Sequence, residues 1–124
     1  MTKPLALVLY EKLLPGSQLV NRLQDLNYRV ETVADPALLA ETAEQAKPML
    51  VLADLVSSRD NVCDGIKQLK QNAATRHVPV IGFSKDNSEA LQAVARDAGV
   101  TLLVTDTAIL NHLAQFLDQA LQVE

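Results

Sequence analysis

The run Met49-Leu50-Val51-Leu52-Ala53-Asp54 ends an apolar, strand-length stretch in a carboxylate, and a polar segment from Leu55 to Asp64 follows it. A buried strand that delivers an acid at its C-terminal end sets that acid in the crevice where open α/β sheets place their chemistry. Three other apolar runs also end in polar side chains, at Tyr10-Glu11, Ser84-Lys85 and Thr105-Asp106. If these strands are parallel, their ends share one edge, and the resulting set is carboxylates with a hydroxyl and an amine. Other chemistries find little material. Cys63 is the single cysteine, so it has neither a disulfide partner in the chain nor a second thiolate for a metal. His77 and His112 lack metal-ligand spacing and fit no Ser/His/Asp arrangement.

Positioning such a set requires alternating strands and helices, and the hydropathy pattern supplies them. Strand one is Leu5 to Tyr10. Helix one follows Pro15-Gly16-Ser17, with Ser17 as cap and Leu19, Val20, Leu23 and Leu26 inward, and Asn27 stops it. Strand two, Tyr28 to Val33, alternates as an edge strand does. Asp35 caps helix two with Pro36 at its first position, its apolar face is Leu38, Leu39 and Ala43, and Lys47-Pro48 ends it. Strand three is Met49 to Ala53, with Asp54 at its tip, and helix three runs from near Asp64 to Ala73 with Ile66 and Leu69 inward. Strand four is Val78 to Phe83. Helix four runs from Asn87 or Ser88 to Ala98 with Leu91, Val94 and Ala95 inward, and Gly99 takes the left-handed position beyond it. Strand five is Thr101 to Thr105, and helix five runs from Thr107 to Leu121.

Five strands and five helices in alternation predict a three-layer α/β/α sandwich, flavodoxin-like, with a parallel sheet in the order 2-1-3-4-5. The 124 residues suit a single domain spanning 1–124, and 48% hydrophobic residues can fill its core. No apolar run has bilayer-spanning length, and Met1-Thr2-Lys3-Pro4 leads into strand one without a secretory signal, so a cytoplasmic location is expected. A net charge of −4 with scattered basic residues argues against direct nucleic-acid binding.

With the elements in this order, the chain resembles the receiver domains of two-component response regulators (CheY-like) along essentially its whole length. Leu50-Val51-Leu52-Ala53-Asp54-Leu55 is similar to the phosphoacceptor strand, Val78-Pro79-Val80-Ile81-Gly82-Phe83-Ser84 to the fourth strand, and Ala98-Gly99-Val100 to the approach to the fifth. The resemblance implies that Asp54 accepts a phosphoryl group as a carboxylate nucleophile. It implies that Glu11, Asp54 and the carbonyl of Val56 hold Mg²⁺, and that Ser84 contacts the phosphoryl oxygen.

The departures from that pattern are chemical. Tyr10 stands in place of the first acid of a pair, and Glu11 in place of the second, normally Asp. Asp106 replaces a lysine that pairs with the phosphoryl group, and Thr107 replaces a proline. Like charges 4 Å apart repel by about 1 kcal/mol in water and about 4 at an effective dielectric of 20. Phosphorylated Asp54 is therefore held poorly unless Lys85 substitutes as the cation. Leu103 occupies the position of the aromatic switch, and the segment after Asp54 is longer and lacks its usual proline.

Three readings follow. The first is an atypical receiver, or pseudo-receiver, that is not an enzyme and acts through contact with a sensor kinase or output protein, phosphorylation at Asp54 being absent or weak. The second is a competent Mg²⁺-dependent phosphoacceptor of a phosphorelay. The third is a flavodoxin-like small-ligand domain, disfavoured because Gly16 is a lone glycine where a phosphate cradle would need several, and because 3% aromatic residues leave a flavin few stacking partners. The face formed by helix four, strand five and helix five is mixed and polar, carrying Glu89, Gln92, Arg96, Asn111, Gln115 and Asp118. Such a face predicts a monomer or a weak homodimer through it.

Overall fold

The computed structural model describes residues 4–9, 13–33, 35, 38–55, 62–84 and 89–122. Five strands, β1 (Leu5–Leu9), β2 (Arg29–Val33), β3 (Leu50–Asp54), β4 (Val80–Ser84) and β5 (Leu102–Thr105), pair in parallel in the order β2-β1-β3-β4-β5. This is the order expected from the sequence. The helices are α1 (Leu13–Asp25), α2 (Leu39–Ala46), α3 (Val62–Gln71), α4 (Glu89–Ala98), α5 (Asp106–Asn111) and α6 (Leu113–Gln122).

Alternation along the strands divides the core into two sides. On one side Leu7, Leu9, Val51 and Ala53 pack against Leu39 of α2, Ile66 and Leu69 of α3, and Ala95 of α4. On the other, Ala6, Val8, Leu52, Ile81 and Phe83 pack against Leu19 and Leu23 of α1, Ile109 of α5, and Leu113 and Leu117 of α6. β1, β3 and β4 are sandwiched between helices, which explains why they are apolar along their length.

The helix limits differ from expectation in instructive ways. α1 begins at Leu13, so Ser17 lies inside the helix and does not cap it. Pro15 fits there because the first-turn N–H groups have no helical partner to lose. Leu26, expected inward, lies just past α1 and is exposed, and Asn27 makes the turn in the left-handed region at φ 69°. α2 starts at Leu39, four residues after Asp35. Its preceding residue Leu38 makes no side-chain cap and is exposed, not inward, while Pro36 lies outside the described residues. Lys47 ends α2 in a left-handed conformation, its N–H donating to Ala43 O. Val94 of α4 is exposed where it was expected inward, while Ala95 is buried as expected.

The expected single fifth helix is two. α5 and α6 meet at His112, whose backbone leaves helical geometry at φ −128° and ψ 32°. Hydrogen bonds from His112 N to Ala108 O and from Phe116 N to His112 O bridge the break, so the axis bends without losing its apolar stripe.

At the N-terminal edge of the sheet, the link from α3 to β4 is pinned by side chains. Lys70 Nζ donates to Val78 O at 2.6 Å and to Arg76 O at 3.3 Å, and Thr75 Oγ1 donates to Leu69 O at 2.6 Å. Burial holds the Lys70 ammonium below its ordinary pKa. The Lys70 stem lies against Gly99, where an added Cβ would meet Lys70 Cγ at 2.8 Å; Gly99 also has φ +104°, so glycine is required on both counts.

Candidate functional site at the carboxyl edge of the sheet

Asp54 is the last residue of β3 and Ser84 the last of β4, on neighbouring strands. The ladder pairs Asp54 with Phe83 and Ser84 with Thr105, which puts Ser84 one step beyond Asp54 along the edge. Asp54 is 7% exposed and Ser84 fully buried, although both are polar. Burying a carboxylate is costly unless it is partnered, and Asp54, Ser84 and Asp106 are each engaged in an interaction. The fold therefore places the acid and the hydroxyl at the ends of adjacent strands.

The residue after Asp54 fixes this corner. Leu55 N–H donates to Phe83 O at 2.9 Å, carrying the β3–β4 ladder past the strand end. The Leu55 side chain lies over Gly82, where an added Cβ would stand 2.8 Å from Leu55 Cδ1. Glycine inside β4 thus allows this close approach beside the acid.

Asp106 follows Thr105 on β5, two strands from β3, which is about 9–10 Å at ordinary strand spacing. It is the first residue of α5. The N-cap of α5 is Thr105, in extended conformation at φ −84° and ψ 160°, and its Oγ1 accepts from Ala108 N–H at 3.1 Å. Asp106 therefore sits in the first turn, where a helix N-terminus favours negative charge. Its Oδ1 atom is buried and accepts no hydrogen bond among the described residues, while the residue makes other interactions. Sequence reasoning passed over Thr105 as the cap. The available signal was weak, since Ala108, not Glu or Gln, stands where a capping box would close.

Leu103 is half-buried on β5, paired with Gly82, and packs on the side of the core that includes α3 and α4. An open cavity of about 400 Å³ adjoins it, lined by Gln92, Ala95, Arg96, Val100, Thr101 and Leu103. Tyr10, Glu11, Val56 and Lys85 lie outside the described residues. Of the three expected Mg²⁺ ligands, Asp54 alone is described. Its buried carboxylate is an oxygen donor suited to a hard cation, and no cluster of three or more His, Cys, Asp or Glu occurs among the described residues.

No protein-family model matches the chain, and no curated protein matches it. Solved structures do. The chain superposes on chemotaxis protein CheY4 of Vibrio cholerae with a TM-score of 0.87 and 17% identity, covering 96% of this chain and 99% of that one. It superposes on the receiver domain of a Pseudomonas aeruginosa sensor histidine kinase, which has a magnesium ion coordinated in its active-site cleft, with a TM-score of 0.88 and 17% identity over 98% of this chain and 100% of that one. The response regulator domain of Thermotoga maritima CheB matches with a TM-score of 0.82 and 19% identity, covering 99% of each. The fold is the CheY-like receiver fold.

Proposed function

We propose that this is a receiver-like domain of signal transduction that is not an enzyme and works by contact with another protein, phosphorylation of Asp54 being absent or weak. The observation that carries this reading is the β5–α5 junction. Where a receiver has its phosphoryl-binding lysine, this chain has Asp106, built into the first turn of a helix that Thr105 caps. An acid there opposes the charge of an acyl phosphate on Asp54. A sensor kinase or an output protein is the partner this reading implies, and a cytoplasmic location goes with it. No helix among the described residues is long and apolar enough to cross a membrane.

A second reading, a competent Mg²⁺-dependent phosphoacceptor, is favoured by Asp54 and Ser84 at adjacent strand tips. In it Glu11, Asp54 and the Val56 carbonyl hold the ion, and Lys85 supplies the missing cation. One experiment separates the two. The protein is incubated with a small phosphodonor and Mg²⁺ and its intact mass is measured. On the first reading the wild type stays largely unmodified, and Asp106→Lys raises the modified fraction. A stoichiometric, acid-labile adduct on wild type that is abolished in Asp54→Asn would establish the second.

A further inference from the structure

β2 closes one side of the sheet, and among the described residues no strand lies beyond it. Arg29, Glu31 and Thr32 are exposed on it, and Val30 is half-buried. Arg29, paired with Leu5, donates its N–H to Pro4 O at 2.8 Å. Successive residues of a strand turn their backbone groups to opposite sides, so Arg29, Glu31 and Val33 bond inward to β1 while Val30 and Thr32 present theirs to the open side. Such an edge is a template for another strand unless its side chains oppose the match.

The charges on β2 oppose some matches and favour one. When two copies of β2 meet antiparallel about a two-fold axis at Val30, the two Val30 residues exchange N–H···O bonds. Arg29 of each copy then stands directly opposite Glu31 of the other, in the closer, non-hydrogen-bonded pairs where side chains interact most. An axis at Glu31 opposes Glu31 to Glu31, an axis at Arg29 opposes Arg29 to Arg29, and an axis at Thr32 sets Glu31 against Val33. An axis between residues faces outward backbone groups with inward ones and forms no ladder. The register centred on Val30 alone pairs both charges. Arg29 is also engaged within its own chain, and a guanidinium has five N–H donors to divide between partners.

We propose that a second copy of this chain docks on the β2 edge, antiparallel and centred on Val30, joining the two five-stranded sheets into one. Main-chain hydrogen bonds at the edge supply the attraction, and the paired charges fix the register. The inference stands whether or not Asp54 accepts a phosphoryl group. Because the two β2 strands run in opposite directions, the carboxyl edges of the two sheets point to opposite ends of the dimer, and both Asp54 corners stay uncovered. A strand of five residues on each side is small beside the roughly 800 Å² per partner of a stable interface, so the association is weak and concentration-dependent.

The test follows the amide NMR spectrum of the isotope-labelled full chain from micromolar to millimolar concentration. The expected result is a saturating, concentration-dependent shift at Arg29 to Val33. Arg29→Glu alone sets acid against acid at both pairs, and Glu31→Arg alone sets base against base. Each should weaken self-association about tenfold or more. Mixed together, the two variants present acid to base at both positions, so labelled Arg29→Glu should regain the shifts as unlabelled Glu31→Arg is added. Both positions are exposed, and a folding defect in either variant would not be repaired by the other. A spectrum unchanged up to millimolar concentration, shifts confined to Gln92 to Thr105, or a mixture that associates no better than its components would each overturn the proposal.

Discussion

The centre of the sheet and its β5 end differ in packing and in chemistry. β3 and β4 are buried at every position and end in Asp54 and Ser84, an acid and a hydroxyl. β5 is half-buried throughout, adjoins an open cavity, and leads into a helix that breaks at His112. The residues that would accept a phosphoryl group stand in the tightly packed half. On the proposed reading the positions that would bind it and report it, Asp106 and Leu103, stand in the loosely packed half. Core packing constrains the first group, because any change at the β3–β4 tips is felt through the close-packed interior. The second group is half-buried, so a change there is felt less.

The largest effect tests that contrast directly. Leu52→Ala, at a fully buried site on β3, should cost about 2–5 kcal/mol in denaturant unfolding, through lost transfer energy and a residual cavity. Leu102→Ala, the same change on half-buried β5 facing the same side of the core, should cost well under half as much. Equal losses would erase the distinction between the two regions.

Next in size is the corner beside the acid. Gly82→Ala forces Leu55 aside and should destabilise by about 1–3 kcal/mol. Leu55→Ala in the same chain should recover much of that loss, a coupling a double-mutant cycle measures. Additive losses would show that Leu55 does not sit over Gly82. Smaller again, Thr105→Val removes the α5 cap and should cost about 1 kcal/mol. An unchanged midpoint would mean that Asp106 lies in a loop and not in a helical turn.

The sequence carried the sheet order and the Asp54–Ser84 corner because both depend on where apolar runs end, and a run that ends in a carboxylate is visible without coordinates. Asn27 and Gly99 were legible for a similar reason, since few residue types tolerate positive φ. The break at His112 was not. Ile109, Leu113 and Leu117 keep a four-residue spacing across it and are all buried, so the hydrophobic period runs through the bend unaltered. Leu26, Leu38 and Val94 misled because apolar type alone does not fix burial; an exposed apolar residue is ordinary on a protein surface. The cavity was illegible because Arg96, Val100 and Leu103 enclose it jointly, and no one of them marks it in the sequence.

The smallest effect asks whether the helix beyond the break is seated on the sheet. Tyr28, at the foot of β2, has its hydroxyl pKa raised above 10.0, first by burial and then by the carboxylate of Asp118 on α6. A phenol whose folded pKa exceeds its unfolded one keeps its proton in the native state where the unfolded chain has lost it. Its contribution to stability is therefore complete below pH 10.0 and declines as pH rises through the folded value. Asp118→Asn removes the lesser of the two causes. In a Tyr10→Phe background, ultraviolet titration of the remaining tyrosine should show its midpoint lowered by that substitution yet still above 10.0, because burial is untouched. An unmoved midpoint would detach α6 from β2.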